Sequence, residues 1–247
     1  MKKYFLNHQV TTGVYKKMSK KSEMVTQMLY GEGFSIIKKT KDWLKIKIKE
    51  DGYIGFIKKK KTVPYVEPTH KVCKLYANVY KSPNTENKIK QLTYGSKIRV
   101  KNNKSNFREF ENNWINAKDI KPIYHRYENI FSKIMIFKNT KYCWGGKSNK
   151  GIDCSALVQI FFNYNNKFCP RDAKDQVKYF KKNIHLKNIE QNDVIYWKGH
   201  VAVAVSKKKL IHAYGPLKKT VVMDIKKTIS LIKKTAGLKV LLIKRIK

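Results

Sequence analysis

The sequence predicts an α+β domain carried behind two small all-β barrels. Three observations predict it. Two segments of the first half repeat each other about 64 residues apart. Within them apolar and polar residues alternate with a period of two, as in Lys45-Ile46-Lys47-Ile48, the mark of a strand with one buried face. From Tyr124 onward the spacing turns helical and then gives way to a run of strands, the order of an α+β domain.

The first barrel is expected over residues 1–63. It holds Val14-Tyr15-Lys16, Gln27-Met28-Leu29-Tyr30-Gly31, Trp43 to Ile48, and Asp51-Gly52-Tyr53-Ile54-Gly55-Phe56-Ile57. The second, over 69–123, repeats these as Val79-Tyr80-Lys81, Gln91-Leu92-Thr93-Tyr94-Gly95, Phe107 to Phe110 and Asn112-Asn113-Trp114-Ile115-Asn116-Ala117. Short strands broken by turn residues make such units. Lys58 to Lys61, followed by Pro64 and Pro68, reads as a solvated linker. The third domain is expected over 124–247. Ile130, Phe131, Ile134 and Phe137 predict a helix over 125–137, and Ser155 to Phe162 a second, apolar one. Strands are expected at Val194 to Trp197, Val201 to Val205 and Lys209 to Ala213, then a helix at Ile225 to Ile232 and a last strand at Lys239 to Ile243.

Composition narrows the function classes. Of 247 residues 42% are hydrophobic, enough to build real cores, so a largely disordered chain is excluded. No stretch approaches the ~18 uninterrupted apolar residues of a membrane helix, so no membrane partner is expected. Met1 to Gln9 has lysines without an apolar stretch behind them, which predicts no cleaved leader and a cytoplasmic protein. The net charge is +38, yet only five of the 55 basic residues are arginine. Abundant Lys, Asn and Ile together are how a chain drifts when its gene is rich in A and T. Readers of nucleic acid favour arginine for bidentate contacts, and no zinc-finger, basic-zipper or aromatic RNA-binding motif is present. The charge permits nucleic-acid binding without arguing for it.

Cys73, Cys143, Cys154 and Cys169 are too scattered for a disulfide framework and form no C-x-x-C pair, so no metal site and no cofactor is expected. Cys154 stands out. It follows Tyr142-Cys143-Trp144-Gly145-Gly146 and Gly151-Ile152-Asp153, with Ser155 and an apolar helix behind it. A thiol at a helix N-terminus feels the dipole and free N–H groups, which pull its pKa from about 8.5 toward ~3.5–7.5. A nucleophile needs a base and the base an orienter. Gly199-His200-Val201 opens one strand, and His212 returns on the next, roughly level with it, so the two imidazoles can share a hydrogen bond. Asp153 is also an expected helix N-cap. Cys73, Cys143 and Cys169 read as inert thiols, the other four histidines as surface residues, and Trp43, Trp114, Trp144 and Trp197 as core.

Five ordered motifs resemble the NlpC-type cysteine peptidases, a papain-like family of bacterial cell-wall enzymes: Tyr142-x-Trp144-Gly145-Gly146, Gly151-x-Asp153-Cys154-Ser155, Pro170-Arg171-Asp172, Asp193-x-x-x-Trp197-x-Gly199-His200-Val201 and Ile211-His212-Ala213. The two repeats resemble tandem bacterial Src-homology-3-like barrels. Ala156 and Asn192 depart from the family by replacing usual glycines, and neither removes a catalytic group.

The resemblance implies a papain-like α+β fold in which the helix carrying Cys154 packs on an antiparallel sheet. It makes Cys154 the nucleophile, His200 the general base and His212 the third polar member. It places Tyr142 near the developing oxyanion, gives Asp153 and Ser155 the substrate's free α-amine, sets Arg171 and Asp172 at the cleft edge, and takes Glu32 and Tyr53 from the first barrel as further substrate contacts. It implies an intracellular recycling enzyme that cuts the γ-D-glutamyl to diamino-acid bond of small murein-derived peptides bearing a free N-terminal L-alanine. The rival readings are an inactive wall- or nucleic-acid-binding module and a secreted hydrolase of intact murein.

Overall fold

The computed structural model describes residues 3–246. The chain divides into two compact units: Met1–Arg126 with Trp144–Asn149, and Tyr127–Cys143 with Lys150–Lys247.

In the first unit, the two repeats form two β-structures. One is a seven-stranded sheet in the order Met24–Leu29, Thr11–Tyr15, Ile54–Lys58, Trp43–Ile48, Gly33–Lys39, Phe5–Leu6, Val63–Pro64. Its core gathers Val14, Met28, Phe34, Leu44, Ile46 and Ile57. Leu44, Ile46 and Ile48 point inward while Trp43, Lys45 and Lys47 stay half-buried, as period two requires. The second repeat splits into a five-stranded sheet and a three-stranded one, packed on Val72, Val79, Leu92, Ile98, Phe110 and Ile115. The shared Tyr-Gly pair now has a physical reason. Gly31 and Gly95 both adopt φ +81°, where a side chain is strained. A Cβ on Gly31 would stand 2.0 Å from the Lys97 carbonyl oxygen, so the two turns meet backbone to backbone.

The solvated-linker expectation fails in part. Val63–Pro64 pairs with Phe5–Leu6 as an edge strand. Lys60 folds back, half-buried, and its Nζ donates to Asn7 Oδ1 at 3.1 Å and Thr12 Oγ1 at 2.7 Å. Burial pulls its ammonium down to about 8.

Trp144–Asn149 lies within the first unit, although it is drawn from the sequence just ahead of Cys154. Lys147 is the pin. Its Nζ donates to both carboxylate oxygens of Glu32, at 2.8 and 2.9 Å, with neither side chain reaching solvent. The Lys147 N–H donates to Gln27 Oε1 and the Asn149 N–H to Thr93 Oγ1, each at 2.9 Å. Gly145 has φ +71°, and a Cβ there would lie 2.2 Å from the Met24 carbonyl oxygen, so only glycine fits.

The second unit is built on a six-stranded antiparallel sheet in the order Asn183–Ile184, Leu242–Lys244, Val194–Trp197, His200–Ala204, Lys209–Tyr214, Lys219–Asp224. Helix α1 (Cys154–Tyr164) buries every residue but Asn163 and packs on the two adjacent strands His200–Ala204 and Lys209–Tyr214. Helix α2 (Ala173–Tyr179) follows, and α3 (Ile225–Ala236) starts on an Asp224 cap and ends at Gly237 with φ +67°. The predicted helix over 125–137 shrinks to one 3₁₀ turn, Ile134–Phe137. Its apolar residues are buried as expected, but Asn129 Oδ1 accepts the Phe131 N–H and no side chain caps Lys133, so turns carry the segment. Asn192, in place of a glycine, takes φ +75°, a conformation asparagine tolerates better than most residues.

Candidate active site

The start of α1 is fixed by a polar knot. Asp153, extended at φ −97°, accepts the Ala156 N–H at 2.8 Å and so caps the helix. Arg171 grips the same carboxylate through both arms, Nη1 to Oδ1 at 3.0 Å and Nη2 to Oδ2 at 2.6 Å. Nη1 also donates to Ser155 Oγ at 2.9 Å, and Ser155 donates to Asp153 Oδ1 at 3.2 Å. Gln176 Nε2 ties the Ser155 and Pro170 carbonyls together at 2.9 Å each. Asp153, Ser155 and Arg171 are all buried. They hold the turn that presents Cys154, and Gln176 is a member of this knot that no sequence motif marked. Asp172 is half-buried at the head of α2, where its backbone and not its side chain makes the cap.

Cys154 is the first residue of α1 and only 6% exposed. The Val201 and Ser155 backbone N–H groups donate to its sulfur. Val201 follows His200, so the thiol lies against the peptide that carries the imidazole. The lowered thiol pKa expected from the helix dipole is overturned. Burial pushes the thiol up to about 12, and the Asp153 charge adds to it, against the two N–H donors and Arg171. Removal of water outweighs a half-charge at the helix end.

His200 Nε2 stands 2.9 Å from His212 Nδ1. Continuing the register from Val203 opposite Ile211 sets His212 opposite Ala202, on the same sheet face as His200. His212 is fully buried, stacked on the Tyr214 ring at 4.7 Å and 14°. Burial brings His200 down to about 4 and, together with the nearby His200, His212 down to about 3. Both rings are neutral at pH 7. The resting site is therefore a thiol beside a neutral imidazole rather than an ion pair. Tyr142 is half-buried and close enough to Cys154 and Asp153 for their charges to add to burial in raising its phenol. Its backbone N–H donates to the Lys218 carbonyl at 2.8 Å.

Glu32 is held in an ion pair. Glu32 commits both oxygens to Lys147, and its Oε2 also accepts the Leu29 N–H at 2.8 Å, so it is unsuited to meet a ligand. Tyr53 packs half-buried on the first barrel's core. Glu23, an exposed carboxylate of the same unit, accepts the Trp144 indole N–H at 2.9 Å. Trp144, expected in the core, is 58% exposed. All four cysteines are thiols rather than disulfide halves, and burial raises the Cys73 thiol.

Helix over antiparallel sheet, with a thiol at the helix mouth and two imidazoles on adjacent strands, defines a papain-like domain. Residues 139–235 match the model of the NlpC/P60 family, and residues 14–61 that of the bacterial dipeptidyl-peptidase Sh3 domain. Among curated relatives, dipeptidyl-peptidase 6 of Lysinibacillus sphaericus is 29% identical over 103 residues, 40% of this chain and 38% of that protein. A probable endopeptidase of Haemophilus influenzae is 35% identical over 82 residues, 30% of this chain and 50% of that one. Gamma-D-glutamyl-L-lysine dipeptidyl-peptidase of Bacillus cereus is 22% identical over 228 residues, 78% of this chain and 68% of that one. The chain thus spans half or less of the first two. The crystal structure of an NlpC/P60 family protein from Bacillus cereus superposes with a TM-score of 0.81 at 16% identity, over 98% of this chain and 99% of that one. The fold is shared with that structure over almost the whole chain, and the curated relatives are named as peptidases.

Proposed function

We propose that the protein is a cysteine peptidase that hydrolyses the γ-D-glutamyl to diamino-acid bond of short murein peptides with a free N-terminal L-alanine, in the cytoplasm, as a step of wall recycling. One observation carries the catalytic part: the Cys154 sulfur receives the Val201 N–H while the adjoining His200 is held by His212 at 2.9 Å. The bond specificity is drawn from the likeness to the Bacillus cereus relative, whose name states a γ-D-glutamyl-L-lysine activity.

The chemistry follows from the protonation states. His200 is neutral and can accept a proton at pH 7. As the sulfur adds to the scissile carbonyl carbon, the thiol proton passes to His200 Nδ1, and His212 Nδ1 accepts from the imidazolium Nε2–H. The new oxyanion meets the Cys154 backbone N–H, one of the unpaired donors of the helix start, with Tyr142 beside it. The C–N bond breaks, His200 returns the proton to the leaving amine, and a thioester remains on Cys154. Water attacks it, giving its proton to His200. The C–S bond then breaks and the proton returns to sulfur.

The substrate is rich in carboxylates, and a lysine-rich surface would raise its encounter rate at low salt. Mass spectrometry of L-alanyl-γ-D-glutamyl-diaminopimelate incubated with the protein tests the specificity. Release of L-alanyl-D-glutamate, abolished when the alanine amine is acetylated, supports the reading. Equal cleavage of the acetylated peptide or of intact murein overturns it in favour of a wall hydrolase. Fractionation of cells tests the location.

A further inference from the structure

The buried imidazole pair leaves one question open on electrostatics alone, namely which nitrogens carry the protons. Two neutral rings share a single proton across the His200 Nε2 to His212 Nδ1 contact of 2.9 Å. It can sit on His200 Nε2, leaving His200 Nδ1 bare and able to accept from a thiol. It can instead sit on His212 Nδ1, and then the His200 proton must occupy Nδ1, where it blocks that transfer.

The far side of His212 decides between them. Its Nε2 stands 3.4 Å from the Met223 sulfur. Met223 belongs to the edge strand Lys219–Asp224, level with Leu210 while His212 faces Val221, so the thioether reaches His212 diagonally along the sheet. A thioether accepts a hydrogen bond weakly and never donates one. His212 is fully buried, so a lone pair or N–H left unmatched on its ring is costly. With the proton on His212 Nε2, the N–H points at sulfur and both nitrogens of the buried His212 ring are matched. With the proton on His212 Nδ1, the Nε2 lone pair faces sulfur lone pairs and is left without a donor.

We propose that Met223 is a positioning residue, whose sulfur holds the proton of His212 on Nε2 and thereby keeps His200 Nδ1 bare for Cys154. The chain of donors reads His200 Nε2–H to His212 Nδ1, then His212 Nε2–H to Met223 Sδ. The inference rests on the thiol–imidazole reading above and adds a residue that nothing in the strand Lys-Thr-Val-Val-Met-Asp distinguishes from packing. Met223 does touch the apolar core beneath it, so packing and tautomer control must be separated.

Nitrogen-15 NMR of the histidine rings separates them and needs no substrate. The wild type is expected to show both His200 and His212 as Nε2–H tautomers. Met223→Leu keeps the bulk and removes the acceptor; His200 should gain a substantial Nδ1–H population, and kcat on the murein tripeptide should fall roughly tenfold with KM within about twofold. Met223→Ile, better suited to a strand, repeats the test should the leucine variant lose its fold by thermal melting. Met223→Glu, whose carboxylate can accept, should return both rings to the Nε2–H form. Wild-type tautomers and wild-type kcat in the acceptor-free variants overturn the proposal. A tautomer shift in Met223→Leu, found in a protein that cleaves no tripeptide, upholds Met223 and sinks the substrate assignment alone.

Discussion

His200 and His212, twelve residues apart in sequence, meet at 2.9 Å through Nε2 and Nδ1 on adjacent strands, and the N–H of Val201, next in the chain to His200, donates to the Cys154 sulfur. A turn from Val205 to Lys208 returns the chain so that both rings share one face of the sheet. His200→Ala should therefore lower kcat/KM by roughly 10³, the usual weight of a general base. His212→Leu, which leaves the base in place without its orienter, should lose roughly 10² and spare KM. Steady-state kinetics decide it, and a His212→Leu enzyme at wild-type kcat would remove His212 from the mechanism.

The thiol should be protonated at rest. Burial holds Cys154 up to about 12 and His200 down to about 4, so a thiolate is not expected at pH 7. Thiolate absorbance near 240 nm, taken as the difference between wild type and Cys154→Ser, should be absent at neutral pH. A band that disappears in the variant and titrates below pH 6 would contradict this and restore a resting ion pair.

Acid should weaken the fold through the same two rings. Their folded values, about 4 and about 3, lie below the 6.5 of an unfolded histidine. Between those limits the unfolded chain binds more protons, so stability is full above pH 6.5 and falls as pH drops toward 4. For His200 the loss is on the order of 3 kcal/mol. Urea midpoints at pH 7 and 5 should differ more in the wild type than in His212→Leu. Equal differences would show that these imidazoles are not kept neutral by burial.

The Lys147–Glu32 pair should matter for folding out of proportion to its size. Removing one partner strands a charge in the barrel unit, so Glu32→Gln or Lys147→Met should each cost about 3–5 kcal/mol. Glu32→Leu combined with Lys147→Met should recover most of it. Denaturation of all three checks this, and additive losses in the double variant would mean that the two side chains do not act as a pair.

Much of this was legible in the sequence, for reasons that differ by residue. The repeat exposed the barrels because Tyr30-Gly31 and Tyr94-Gly95 answer one backbone demand, a left-handed turn over a buried tyrosine. Cys154, His200 and His212 were legible because local motifs carry them and the strand spacing sets their register. Glu32 was misread because a carboxylate beside Gly31 looks the same in sequence whether it faces a ligand or a lysine more than a hundred residues away. Trp144 was misplaced for the related reason that a turn between glycines gives no inside or outside. The lowered thiol pKa failed because the helix dipole is visible in sequence while the burial that outweighs it is a property of the folded site. Met223 and Gln176 carry no signal at all, since their roles depend on reaching across to another element.

The central claim is that Cys154 attacks and carries the acyl group. Acid-quenched intact-mass and peptide mass spectrometry of enzyme mixed with L-alanyl-γ-D-glutamyl-diaminopimelate tests it directly. The expected result is an L-alanyl-γ-D-glutamyl thioester on the peptide containing Cys154, with Cys154→Ala showing neither adduct nor turnover. Cleavage of the tripeptide by Cys154→Ala, or an acyl group found on another residue, would contradict it.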